Sequence, residues 1–263
     1  MSKRINPALF QGFSKLSRQE RFERLMAMGV FTEEDLHYLS QGGIQDMALA
    51  ETFIENGIGY FQLPLGVATY FCVNGRDVLI PMAVEETSIV AALSKTAKWI
   101  RESGRMTTEI NGSCIIGQIQ IPRVQNLARL STLIEEHKAE LIQKANLEVA
   151  LNMTKRGGGV MDIQVRSLLR QDGDSMAIIH VHMNTCDAMG ANILNQVLEY
   201  LKHPIEQLTQ EKVQICILSN LNDCKLTTAT IEIPLEDAEL GVRIEEASYF
   251  AELDPYRAAT HNK

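Results

Sequence analysis

Apolar and polar positions along the chain follow two rhythms, and the change between them divides it. Behind Ser17 and Glu20, a capping-box pair, the apolar residues of RFERLMAMGVF recur at helical spacing. Thr32, followed by Glu33, Glu34 and Asp35, opens a second short helix that Gly42-Gly43 closes, and IQDMALAETFIEN predicts a longer one ending near Gly57 or Gly59. The apolar runs VATYFCV and RDVLIPMAV flank Asn74-Gly75, a strong hairpin signal because both residues tolerate positive φ. SIVAALSKTAKWIRES then predicts a helix.

From residue 114 short apolar runs alternate with long helical ones. CIIGQIQI reads as a strand, NLARLSTLIEEHKAELIQKANLEVAL as a helix, and MDIQVRSLL and MAIIHVHMN as strands around Asp172-Gly173-Asp174. ANILNQVLEYLKHPIEQL is a second helix and KVQICILSN a last strand. The order β-α-β-β-α-β is the ferredoxin-like arrangement. KLTTATIEIPL alternates as a strand that returns the chain to where it left. The expected fold is therefore α+β. A mostly helical large domain, 1–113 and 223–263, is interrupted by a small domain at 114–222.

Composition narrows the function classes. A formal net charge of −8 argues against binding nucleic acid through a basic surface. The predicted strands also lack the stacking aromatics of an RNA-binding ferredoxin-like module. No run reaches the ~18 apolar residues of a membrane span, so neither nucleic acid nor membrane is an expected partner. Five scattered cysteines without a C-x-x-C fit reduced thiols in the cytoplasm.

Five features carry candidate chemistry. His180 and His182 share one strand face and could share a metal, but no third ligand type stands near them in sequence, and no metal is expected. Gly157-Gly158-Gly159 leads into a strand rather than a helix, which leaves a phosphate cradle and a plain connection as alternatives. DAMGAN at 187–192 joins a strand to a helix, where Gly190 would let a phosphate approach free N–H groups. Ser88, just before a predicted helix, reads first as a cap. Glu86 and the Lys263 of DPYRAATHNK would form a proton-relay pair if the fold joined them.

Taken in order, ENGIG at 55–59, VEETS at 84–88, the glycine triplet, DAMGAN, ILSNL at 217–221 and the closing DPYRAATHNK resemble the 3-hydroxy-3-methylglutaryl-coenzyme A reductases of the bacterial class II type. The resemblance implies a four-electron, NAD- or NADP-dependent interconversion of hydroxymethylglutaryl-CoA with mevalonate and coenzyme A. It assigns Glu86 as the acid and Lys263 as the ammonium that steadies the oxyanion. Ser88 and Arg257 would hold the hydroxymethylglutaryl group. Asp187, Met189, Gly190, Asn192 and Asn220 would line the dinucleotide site.

ENGIG corresponds to a stretch near the family's subunit interface, implying a homodimer or larger homo-oligomer. Family members continue beyond T-H-N-K with a catalytic aspartate and histidine. The chain is therefore expected to stop at the lysine motif, and an inactive nucleotide- or CoA-binding dimerisation fragment is the alternative reading. Glu148 or Val149 aligns with the family's ribose-contacting aspartate, with Lys155-Arg156 nearby, which leaves NAD and NADP open.

Overall fold

The computed structural model describes residues 5–44 and 46–261. The chain divides into two compact units, one formed by residues up to 108 together with those from 229 onward, the other by 109–228.

In the outer unit, local capping sets the first helices. Ser17 opens α1 (Arg18–Ala27) by accepting from the Glu20 N–H, and the Glu20 carboxylate accepts from the Ser17 N–H at 2.7 Å. These bonds hold the Glu20 carboxyl below its ordinary range. Thr32 and Asp35 repeat the device at α2 (Glu33–Ser40). The third helix, α3 (Met47–Phe53), is shorter than its sequence suggests. Ile54 is already extended, and Phe53 and Ile54 are exposed, so no buried face rewards another turn.

β1 (Leu65–Val73) and β2 (Arg76–Ala83) form the hairpin, with Asn74 and Gly75 both at positive φ. An irregularity between Ala68 and Phe71 puts Tyr70 at φ 69°, with its ring edge-on to Phe10 at 5.2 Å. After α4 (Ile89–Ser103) comes β3 (Arg105–Asn111), a strand the apolar pattern does not announce. The Asn74 side chain reaches it, accepting from the Thr108 N–H and donating to Thr108 Oγ1, both at 2.9 Å.

In the inner unit, β4 (Cys114–Ile121), α5 (Leu127–Glu148), the short α6 (Leu151–Thr154), β5 (Gly159–Leu169), β6 (Ser175–Asn184), α7 (Ala191–Thr209) and β7 (Ile215–Leu218) give the βαββαβ order. The sheet order is β5-β6-β4-β7, with every neighbouring pair antiparallel. Ile119, Ile121, Ile179, Val181 and Met183 join Leu198, Leu201 and Ile205 of α7 in the core. Each such fully buried side chain is worth about 1.5–3 kcal/mol. Gly117 lets α7 lie close, because a Cβ there would fall 2.7 Å from Leu198. The even-numbered residues of β4 and β6, among them Gln118, His180 and His182, point to the other face of the sheet.

The chain then returns through β8 (Leu226–Glu232), α8 (Ala238–Leu253) and α9 (Pro255–His261). The outer sheet runs β2-β1-β3-β8. The fold is α+β, with a small ferredoxin-like unit inserted into a larger one. Among the described residues no helix is long and apolar enough to cross a membrane.

Candidate dinucleotide and substrate sites

Strand register gathers three sequence motifs at one end of the inner sheet. Gly159 pairs with Asn184, and Asn184 pairs with Cys114, so β5 begins where β6 ends. Both β6 and β7 are antiparallel to β4, so Leu218 finishes at that same end. The Leu218 N–H donates to Asn195 Oδ1 of α7 at 3.0 Å, and the exposed Asn220 follows two residues later.

The turn from β6 into α7 is built for close approach. The Thr185 hydroxyl donates to the Ala188 carbonyl at 2.7 Å, while the Ala188 N–H donates back to the Thr185 carbonyl. Gly190 closes the turn at φ 85°, and a Cβ there would lie 2.2 Å from Thr185 Cγ2. No side chain caps α7, so its opening N–H groups can serve an anion. Asp187, Met189 and Asn192 around them are exposed. This turn therefore brings together four of the five expected dinucleotide contacts.

The glycine triplet is explained by its own packing. A Cβ at Gly158 would meet the Asn184 carbonyl at 2.4 Å, and Gly159, at φ 111°, sits against Asn146. Asn146 brackets the start of β5, accepting from the Val160 N–H and donating to the Val160 carbonyl. Of the two readings of the triplet, the close connection is the one with contacts behind it.

In the outer unit, Glu86 and Ser88 both line a cavity of about 1120 Å3, together with aromatic residues that include Phe13, Phe31 and Tyr38 and with Lys95 and Lys98. Ser88 does not cap α4. Its side chain makes no capping bond, and its backbone is left-handed at φ 73°. Arg257 is half-buried on α9 and is not among the residues lining this cavity. The terminal motif is helical from Pro255 to His261, and Lys263 lies outside the described residues.

The two strand histidines separate in role. His180 is buried against the Gln118 amide nitrogen at 3.0 Å and Arg166 Nη1 at 3.4 Å. Burial, then the Arg166 and His182 charges, lower its pKa, so it is a neutral acceptor. His182 instead faces two cysteines that sequence spacing could not connect to it. Its Nδ1 is 3.8 Å from Cys114 Sγ, which lies 3.0 Å from Cys224 Sγ.

The chain as a whole is similar to known proteins over most of its length. A family model described as hydroxymethylglutaryl-coenzyme A reductase matches residues 17–263. A 3-hydroxy-3-methylglutaryl-coenzyme A reductase of Archaeoglobus fulgidus is 41% identical over 258 residues, 96% of this chain and 58% of its own length. A probable reductase of the same name from Borreliella burgdorferi is 31% identical, over 80% of this chain and 49% of its own length. The structure of the class II reductase of Streptococcus pneumoniae bound to NADPH in open conformations superposes with a TM-score of 0.88 at 36% identity, covering 96% of this chain and 70% of that one. The chain thus spans about half to three fifths of the two curated relatives. It belongs to the hydroxymethylglutaryl-coenzyme A reductase family.

Proposed function

We propose that this chain carries the dinucleotide-binding unit and part of the substrate-binding unit of a reductase. The reaction interconverts 3-hydroxy-3-methylglutaryl-CoA with mevalonate and coenzyme A. The observation that carries the reading is the uncapped start of α7, whose opening N–H groups lie between the exposed Asp187 and Asn192. The bound nicotinamide would supply or accept hydride. Asn192 and Asp187 would orient the dinucleotide, with Met189 and Asn220 at its edges.

Glu86 would deliver the proton to the carbonyl that is being reduced, and Lys263 would steady the oxyanion. Ser88 would bind the hydroxymethylglutaryl moiety and Arg257 would clamp its carboxylate. NADPH is the form we propose, a reading supported by Lys155 and Arg156 beside the glycine triplet and by the NADPH-bound neighbour. A second copy of the chain is the proposed partner of the segment around Ile58 and Phe61, whose side chains are almost fully exposed.

Calorimetry on this chain tests the first half. NADPH should bind, and replacing the exposed Asp187 and Asn192 together by alanine should weaken binding at least tenfold while the circular dichroism spectrum is kept. Failure of both NADPH and NADH to bind overturns the reading. Turnover is tested in the polypeptide extended to its relatives' length, where Glu86→Gln should remove activity without unfolding. Unchanged turnover in that variant would remove Glu86 from its role.

A further inference from the structure

At the end of the inner sheet, three soft or borderline ligands converge from distant parts of the chain. Cys114 begins β4, His182 lies near the end of β6, and Cys224 sits on the return segment before β8. Their Sγ, Nδ1 and Sγ atoms all lie within 4.8 Å of one another. The backbone fixes the approach. The Cys114 N–H donates to the Cys224 carbonyl, and Gly112, at φ 77°, has no room for a Cβ, which would fall 2.1 Å from that carbonyl. His182 Nε2 is buried with no partner among the described residues, so no bond there ties the ring proton to either nitrogen and Nδ1 can offer its lone pair to the sulfurs. His180, its neighbour on the strand, is already engaged by Gln118 and Arg166 and takes no part.

We propose that Cys114, His182 and Cys224 form a zinc site that fastens the segment where the chain leaves the inner unit to the strand where it enters. Two thiolates and an imidazole are the donor set zinc favours. A tetrahedral ion with thiolates at about 2.3 Å holds its sulfurs about 3.8 Å apart. The observed 3.0 Å between the sulfurs and 3.8 Å from Cys114 Sγ to His182 Nδ1 need an adjustment of less than an ångström, within side-chain reach. The three residues are half-buried rather than sealed, which leaves the fourth position to water. Binding releases the thiol protons and consumes no oxidant or reductant.

The test titrates the reduced, chelator-stripped chain with Zn2+ by calorimetry and with Co2+ by absorption. One equivalent of zinc should bind, and cobalt should give a thiolate charge-transfer band of the intensity expected for two sulfurs. Cys114→Ser, Cys224→Ser and His182→Ala should each weaken binding beyond the about 10–100-fold that an outer partner is worth. Cys72→Ser should leave it unchanged. No stoichiometric binding, zinc binding that survives both cysteine changes, or a cobalt spectrum without thiolate bands overturns the proposal. The cobalt spectrum of the unaltered chain decides even if a variant fails to fold.

Discussion

Gly190 backs directly onto Thr185: a methyl added at 190 would come within 2.2 Å of Thr185 Cγ2 and 2.8 Å of its Cβ. The left-handed backbone at φ 85° adds its own cost to any side chain there. Gly190→Ala should lower stability by about 2 kcal/mol or more in urea unfolding and weaken dinucleotide binding in parallel. Adding Thr185→Ser removes the nearest atom but leaves Cβ, so rescue should be partial. Full stability in Gly190→Ala alone would refute the close-packed turn.

Ser88 offers a test of two roles that sequence spacing left together. Because it makes no capping bond and sits at φ 73°, Ser88→Gly should raise stability by about 1 kcal/mol. Ser88→Ala should change stability far less than loss of a true cap, which costs about 1 kcal/mol. Both should raise KM for the hydroxymethylglutaryl substrate in the extended polypeptide. A large melting-temperature drop in Ser88→Ala would restore the capping role.

Arg101 on α4 meets Asp77 on β2 at 2.5 Å, with only 21% and 10% of the two side chains exposed. At that burial the pair differs from surface ion pairs such as Lys98–Glu102. Arg101→Ala leaves a carboxylate without its cation and should cost about 1.5–3 kcal/mol, read by denaturant titration. A loss below about 0.5 kcal/mol would show the pair to be solvated.

His180 makes the inner unit sensitive to mild acid. Gln118, Arg166, His182 and Asp223 face it, and burial followed by the Arg166 charge depresses its pKa. The unfolded imidazole titrates near ~6.5, so between that value and the lower folded one the unfolded chain binds more protons. This contribution to stability is full above about pH 6.5 and is lost as the pH falls through the folded value. Melting temperature should therefore decline on acidification below about 6.5, and His180→Gln should flatten that limb. An unchanged slope in the variant would assign the effect elsewhere.

What could be read beforehand was what neighbouring residues dictate. The capping box at Ser17, the helix start at Thr32, the Asn74-Gly75 turn and the βαββαβ order all rest on spacings of a few residues. β3 escaped notice because RMTTEIN is polar and largely exposed, held through Asn74 and a parallel pairing of Val73 with Met106. α8 escaped for a related reason, since it buries none of its residues and shows no strong apolar stripe. In the turn from β6 into α7 the candidate residues are adjacent in sequence, so their gathering at one helix start was legible in DAMGAN. The Cys114, His182 and Cys224 cluster joins positions 68 and 110 residues apart, a distance only the folded sheet closes. Tyr70 and Ser88 at positive φ carry no composition signal either.

The segments that lead into and out of the inserted unit run as neighbours in one ladder, β3 beside β8, and Arg105 is ion-paired to Glu232 across them. To the outer unit, the 120 residues from 109 to 228 are therefore a detour whose two doors stand side by side. Lengthening or exchanging such a detour changes the closure entropy only logarithmically, by about 0.6 kcal/mol per doubling. The inserted unit of this architecture can thus diverge, or be grafted from a relative, while the host sheet goes on folding to the same plan.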